Sequence, residues 1–270
     1  MRINNNIMGY NAYRNYSLTQ VLLSKSLEKL SSGFRINRAS DDAAGLVISE
    51  NLRTSISSMQ VAVRNSQDAV SVAQIAEGAL NEVTTMLRRI RDLAVQSANA
   101  GANDQVSRNA AQAEVTQLLA EVDRIGSQTR FGGLTLFSTA NFTFQVGQSS
   151  TDQVIMTLQL VTTTALTVNA VNVSTGTGAS AALASLDTAI DAVSTLRGRL
   201  GAFSNRFESS IRNLNITIEN TQAAESRIRD TDFAAEMVTF TKLQILSQAG
   251  IAMLGQANIQ PRMILSLLQR

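Results

Sequence analysis

DDAAGLVISENLRTSISSMQVAVRNSQDAVSVAQIAEGALNEVTTMLRRIRDLAVQSAN, residues 41–99, decides how the chain is read. Taken at steps of three and four, it yields Leu52, Ile56, Met59, Val63, Ser66, Val70, Ala73, Ala76, Leu80, Val83, Leu87, Ile90 and Ala94. These positions make one apolar stripe on a single long helix, with Gln, Asn, Arg and Ser on the other faces. The steps alternate four and three except at Ala73–Ala76, where two threes meet. Such a slip overwinds a coiled coil locally without ending it. About 58 helical residues at 1.5 Å each extend on the order of 87 Å. A compact domain has no use for so long a helix, so its stripe must lie along other helices, of this chain or of neighbouring ones. The predicted class is mainly α, long antiparallel helices in a coiled-coil rod with a small β-hairpin region.

Composition agrees. The 270 residues suffice for one large or two small domains. Hydrophobic residues make up 44% but aromatics only 4%, and Trp is absent, which suits helix-on-helix packing better than a core built on rings. The lone proline, Pro261, leaves room for long unbroken helices. A net charge of +2 sets up no strong field toward nucleic acid or acidic lipid. With no Cys there is no disulfide or thiolate site, and with no His the commonest general base and metal ligand is missing. No catalytic residue, cofactor or metal is expected. No apolar run reaches 18 residues, so no transmembrane helix is predicted. The polar start, Met1-Arg2-Ile3-Asn4-Asn5-Asn6, lacks the apolar centre of a cleaved signal peptide, so export would need another route.

Residues 1–17 are weakly patterned. A helix is predicted from Leu18 on a face of Leu18, Val21, Leu22, Leu27 and Leu30, stopped by Ser31-Ser32-Gly33. Phe34 to Ser40 reads as an extended connector, Ser40 as the N-cap of the long helix, and Asp41 and Asp42 as its first turn. Beyond Asn99 to Gly101, Asn103 or Asp104 caps a helix carrying Ala111, Val115, Leu118, Val122 and Ile125, antiparallel to the first because the link is short. Gly126 and Gly132-Gly133 punctuate its end. Phe142 to Val146 and part of Gln153 to Leu160 alternate with period two around a turn at Gly147 to Asp152, which predicts a hairpin. Residues 161–180 read as a surface segment of little pattern. Helix returns near Ala181, with a bend expected at Gly198 and Gly201, and its stripe is Phe203, Phe207, Ile211, Leu214, Ile218 and Thr221. After a break at Asp230 and Asp232, a last helix carries Phe233, Met237, Phe240, Leu243, Leu246, Ala249, Met253 and Ala257, and Pro261 interrupts the apolar tail behind it. Both chain ends carry apolar faces that the middle of the chain has no surface to cover. A thin helix pair buries too little area to offset its ordering entropy, so the ends should order on assembly. Leu22, Leu27, Leu30, Phe233, Met237, Phe240, Leu243 and Leu246 are the expected polymer interface.

Chemistry-bearing motifs are few. Ser26-x-x-Lys29 has the spacing of a serine-acylating motif but no companion box. Asp41-Asp42 and Asp230 with Asp232 are explained by helix ends rather than metal binding. Arg88, Arg89 and Arg91 are the densest basic cluster, too small and without the stacking aromatics of a nucleic-acid surface. The Asn-x-Ser/Thr sites at Asn15, Asn141, Asn172 and Asn215 matter only in a eukaryotic secretory context.

Several runs together carry a resemblance: Leu27-Glu28-Lys29-Leu30-Ser31-Ser32-Gly33-Phe34-Arg35-Ile36-Asn37, Ser40-Asp41-Asp42-Ala43-Ala44-Gly45-Leu46, Arg91 to Asn99, Ala224 to Asp230, and Gln248-Ala249-Gly250 with the Pro261 tail. In this order they closely resemble bacterial flagellin, over residues 1–160 and 181–270. The resemblance implies a homopolymer, the flagellar filament, outside the cell, reached unfolded through the flagellar type III export apparatus. It implies that residues 1–40 and 230–270 form the inner coiled-coil layer and 41–229 an outer helical rod, with outer domains absent because only 161–180 stands where larger members insert them. It also implies an export chaperone on the C-terminal helices, hook-associated and cap proteins as partners, and an innate immune receptor contact at Arg89, Leu93 and Glu114. A hook–filament junction protein shares the terminal helices and is the nearest rival. A zinc protease carried on such a frame is excluded by the missing His-Glu-x-x-His, and a DNA-binding coiled coil would show steep salt dependence.

Overall fold

A computed structural model describes residues 5–99, 101 and 103–268, with side chains as far as Ile259. The elements in chain order are α1 (Ile7–Ser32), α2 (Ala43–Ala98), α3 (Gln105–Gln128), β1 (Arg130–Phe131), β2 (Leu134–Thr135), β3 (Asn141–Gln145), β4 (Gln153–Thr157), α4 (Gly176–Arg229) and α5 (Phe233–Leu268). They divide into two compact units, one of residues 57–218, the other of the residues before Ser57 and after Ile218.

In the 57–218 unit the α2 stripe is the core. Met59, Ser66, Ala73, Ala76, Leu80, Val83, Leu87, Ile90 and Ala94 are all buried, and Val63 and Val70 half-buried. Partners on α4 step backward as α2 advances. Met59 and Ala62 cluster with Leu214, and Ala69 with Phe207. Glu77 faces Arg197, and Arg91 faces Asp187. The two helices are therefore antiparallel over the whole unit. Asp104 caps α3 by accepting from the Ser107 N–H at 2.8 Å, and Val115 and Val122 join the same core. Gly132 and Gly133 (φ 56° and 87°) form the two-residue turn between β1 and β2, a backbone that only glycine adopts freely. The β3–β4 hairpin pairs Phe142 with Met156 and Phe144 with Val154. It lays Phe144 edge-on against Phe207, with ring centroids 5.6 Å apart.

Residues 161–180 depart from expectation. They are not a surface segment: Val161, Leu166, Val168, Val171 and Val173 are buried in the main core. The α3 helix holds both ends of the stretch. Asp123 accepts from the Thr163 N–H at 2.7 Å and from its hydroxyl at 2.9 Å, and Gln112 Oε1 accepts from the Val173 N–H at 2.6 Å. Gly126 lets the Val161 carbonyl press against α3, where a Cβ would lie 1.9 Å from that oxygen. These five aliphatic residues join the core that α2, α3 and α4 share. From Gly176 onward the chain is already helical, and α4 runs unbroken through Gly198 and Gly201.

In the terminal unit, α1 starts at Ile7, well before Leu18, because Asn6 caps it by accepting from the Gly9 N–H at 3.0 Å. The cap of α2 is Asp42, not Ser40: its Oδ1 accepts from the Gly45 N–H at 2.9 Å. Asp41 instead folds the connector by accepting from the N–H groups of Arg38 (3.0 Å) and Asn37 (3.2 Å). These bonds, the one from Arg38 foremost, hold its carboxyl below the usual carboxylate range. The backbone of α5 continues past Pro261 to Leu268. Proline removes one helical hydrogen bond, and a helix retained through it needs that loss made good elsewhere.

Candidate functional site

Helices α1 and α5 pair along a seam whose spacing is a strict alternation of threes and fours. On α1 the inward positions are Gly9, Ala12, Tyr16, Thr19, Leu23, Ser26 and Leu30; on α5 they are Glu236, Phe240, Leu243, Ser247, Gly250, Leu254 and Ala257. This is coiled-coil register, yet much of the seam is small or polar. Gln20 Nε2 donates to Ser247 Oγ at 2.7 Å, and the buried Ser26 hydroxyl donates to Glu236 Oε1. Gly250 lies under the Tyr16 ring, with only 3.3 Å from a built Cβ to Tyr16 Cδ2. Ser26 is thus part of the pairing, and its spacing to Lys29 serves no nucleophile.

Tyr16, Leu23, Leu30, Phe240, Leu243 and Leu254 stay in the seam, but many other large apolar residues point the other way. Leu22 (53% exposed), Leu27, Phe233 (58%), Met237 and Leu246 all stand open, joined by Leu18, Val21, Val238 and Ile245. Of the predicted interface set, Leu243 alone is buried within the chain, at 8%. Leu30 and Phe240 are half-buried in the seam. An exposed apolar surface on both partners of a helix pair marks a site awaiting another protein surface.

A clip joins the connectors of this unit. Phe34 bridges Asp230, the Arg35 N–H donates to the Arg229 carbonyl at 2.7 Å, and the Thr231 N–H donates to the Gly33 carbonyl at 2.9 Å. The Arg229 guanidinium lies 4.8 Å from the centre of the Phe34 ring and reaches Glu50 at 2.7 Å. Asp230 therefore belongs to a backbone clip, while Asp232 caps α5 through the Ala235 N–H.

The basic cluster on α2 is neutralised in part. Arg89 Nε lies 2.7 Å from Glu114 and Arg91 Nε 2.6 Å from Asp187, and each hydrogen-bonded carboxylate pushes its guanidinium pKa further up. Arg88 is exposed, and Leu93 is turned into the core at 4% exposure. Arg89 and Glu114 thus meet on the surface, with Leu93 beneath them rather than beside them.

Family models match two parts of the chain, the bacterial flagellin N-terminal helical region over residues 3–142 and the C-terminal helical region over 183–268. The chain belongs to the bacterial flagellin family. This flagellin is 45% identical over 273 residues to the flagellin of Halalkalibacterium halodurans and 41% identical over 304 residues to that of Bacillus subtilis, both chains being covered in full. It is 39% identical over 287 residues to a flagellar filament core protein of Treponema maltophilum, again over full length. Among solved structures, Bacillus cereus flagellin matches with a TM-score of 0.51 at 32% identity, covering 56% of this chain and 88% of that one. A putative flagellar hook-associated protein of Vibrio parahaemolyticus shares the fold alone, at a TM-score of 0.60 and 14% identity, over 70% of this chain and 100% of that one. The flagellin is a structural subunit of the extracellular flagellar filament and not an enzyme. No described helix is long and apolar enough to cross a membrane.

Proposed function

We propose that α1 and α5 supply the face by which this subunit polymerises, with residues 1–40 and 230–270 as the inner layer of the filament and 41–229 as its outer rod. The observation that supports this reading is how the terminal pair divides its apolar residues: the seam mixes small and polar residues with large ones, while Leu22, Leu27, Phe233, Met237 and Leu246 face outward. Fully burying an exposed side chain of this kind is worth about 1.5–3 kcal/mol, and these are about half exposed, so covering all five contributes about 4–8 kcal/mol against the entropy of docking. Leu243, Leu30 and Phe240 then set the pair itself, and the five open residues meet the adjoining subunits. The same open face on α5 suits an export chaperone before assembly, and the ends of the filament would meet hook-associated and cap proteins.

The test is negative-stain electron microscopy of the full chain and of a truncation lacking Phe233–Arg270, each given filament seeds. Long filaments from the full chain and none from a truncation that keeps its cooperative melt are expected. Filaments from the truncation would overturn the reading. A second surface, the Arg89–Glu114 pair, supports contact with an innate immune receptor, Leu93 acting by seating α2 beneath it. Alanine at Arg89 should lower receptor activation in a cell-based assay, and unchanged activation would remove the proposal.

A further inference from the structure

Pro261 has no N–H, so the carbonyl four residues before it in α5, that of Ala257, loses its helical donor. Ala257 is buried, where an unpaired carbonyl is costly. The Asn6 side chain takes the donor's place: Nδ2 donates to the Ala257 carbonyl at 2.9 Å and lies 3.5 Å from Asn258 Oδ1. The same side chain caps α1 through its Oδ1. One amide thus starts the first helix and repairs the last. Gly9 gives it room, since a Cβ there would lie 2.9 Å from Asn6 Nδ2 and 3.1 Å from its Cγ.

We infer that Asn6 is a latch specific to Pro261, helping to set the register of α1 on α5 by supplying the interior hydrogen bond that Pro261 removes from α5. A shift of α1 would also break the Gln20–Ser247 and Ser26–Glu236 hydrogen bonds, which are side chain to side chain. At Asn6 it would strand the Ala257 carbonyl. The latch therefore acts as a positioning device for the terminal pair, and its readout in assembly rests on the polymer reading above.

The test is a double-mutant cycle in the full-length chain, with Asn6→Ser, Pro261→Ala and the double variant. Serine keeps an N-cap oxygen but is too short to reach α5. The concentration of unpolymerised subunit left at equilibrium after seeding is the readout. With Pro261 present, Asn6→Ser should raise it about 2- to 10-fold, the range of one hydrogen bond. In the Pro261→Ala background, where the helix supplies its own donor, the same change should stay below about twofold. Gly9→Ala should mimic Asn6→Ser although alanine is the better helix former, and it should become harmless or favourable in the Pro261→Ala background. Equal effects in both backgrounds would overturn the latch. If the wild-type chain fails to polymerise, the polymer reading falls. The cycle is then read from thermal loss of helical circular dichroism, where the same dependence on residue 261 is required.

Discussion

Gly126→Ala separates two effects of opposite sign. Helix propensity alone favours alanine, by at most about 1 kcal/mol at this position in the last turn of α3. The structure opposes it, because the new Cβ would lie 1.9 Å from the Val161 carbonyl oxygen and 3.0 Å from its carbon. The obstacle is backbone, with no rotamer to swing away. An ordinary carbon–oxygen contact of about 3.3 Å requires roughly 1.4 Å of movement. That shift takes Thr163 with it and stretches two bonds to Asp123, now 2.7 and 2.9 Å, beyond useful range. Overpacking costs about 1–3 kcal/mol, and hydrogen bonds to a charged group about 1.5–3 kcal/mol each. Partial relaxation leaves a net loss of about 2–5 kcal/mol. For a unit of this size, 1 kcal/mol moves the melting temperature by about 2–4 °C, so a fall of about 5–15 °C is expected. Calorimetry on the full-length monomer measures it. An unchanged or higher Tm would refute the close packing of 161–173 on α3.

Other outcomes follow from the same geometry. Leu246→Asp should abolish seeded polymerisation while leaving the monomer's main melting transition within about 1 °C, since an exposed position contributes little to folding; a large drop in Tm would place Leu246 inside the fold. Leu243→Ala, at a buried seam position, should cost about 2–3 kcal/mol and loosen α1 from α5, visible as faster amide exchange along α5; unchanged exchange would deny it a place in the seam. Asp104 is held below the usual carboxylate range by the Ser107 hydroxyl and then by the Ser107 N–H. A lowered folded pKa stabilises α3 above about pH 4 and ceases to do so as pH falls through the folded value. Amide exchange at residues 105–108, corrected for its intrinsic pH dependence, should therefore speed up below about pH 4, and constant protection down to pH 3 would contradict the cap.

The long helix was readable because burial there repeats at the helical period: every stripe residue from Met59 to Ala94 is at least half-buried. The hairpin was readable for the matching reason, with Val154 and Met156 buried between exposed neighbours. The terminal seam was readable only in part, at Leu30, Phe240, Leu243 and Ala257. Apolarity along α1 points to Leu18, Val21, Leu22 and Leu27, which face outward, while the inward positions include Gly9, Ala12, Thr19 and Ser26. Hydrophobic patterning reports a face to be covered by something, and under the proposed polymer contact that something is a neighbouring subunit. In 161–173 the buried residues are Val161, Thr163, Leu166, Val168, Val171 and Val173, a five-residue repeat that matches neither the strand nor the helix period, so a search for those two periods passes over it. Asn6 was hidden in a run of three asparagines. Only a lone proline in an apolar helix hinted that some donor had to come from elsewhere.

The clamped segment over α3 makes this subunit a natural host for grafts. Asp123 grips Thr163 at one end and Gln112 grips Val173 at the other, while Asn169 and Ala170 between them are exposed. Val168 and Val171 anchor the chain on either side of that tip. A guest sequence spliced between Asn169 and Ala170 would leave through one anchored point and return through another, so the helices below need not register its presence. Closing a longer loop costs only about 0.6 kcal/mol for each doubling of its length. The cargo could therefore grow large while the scaffold beneath kept its geometry.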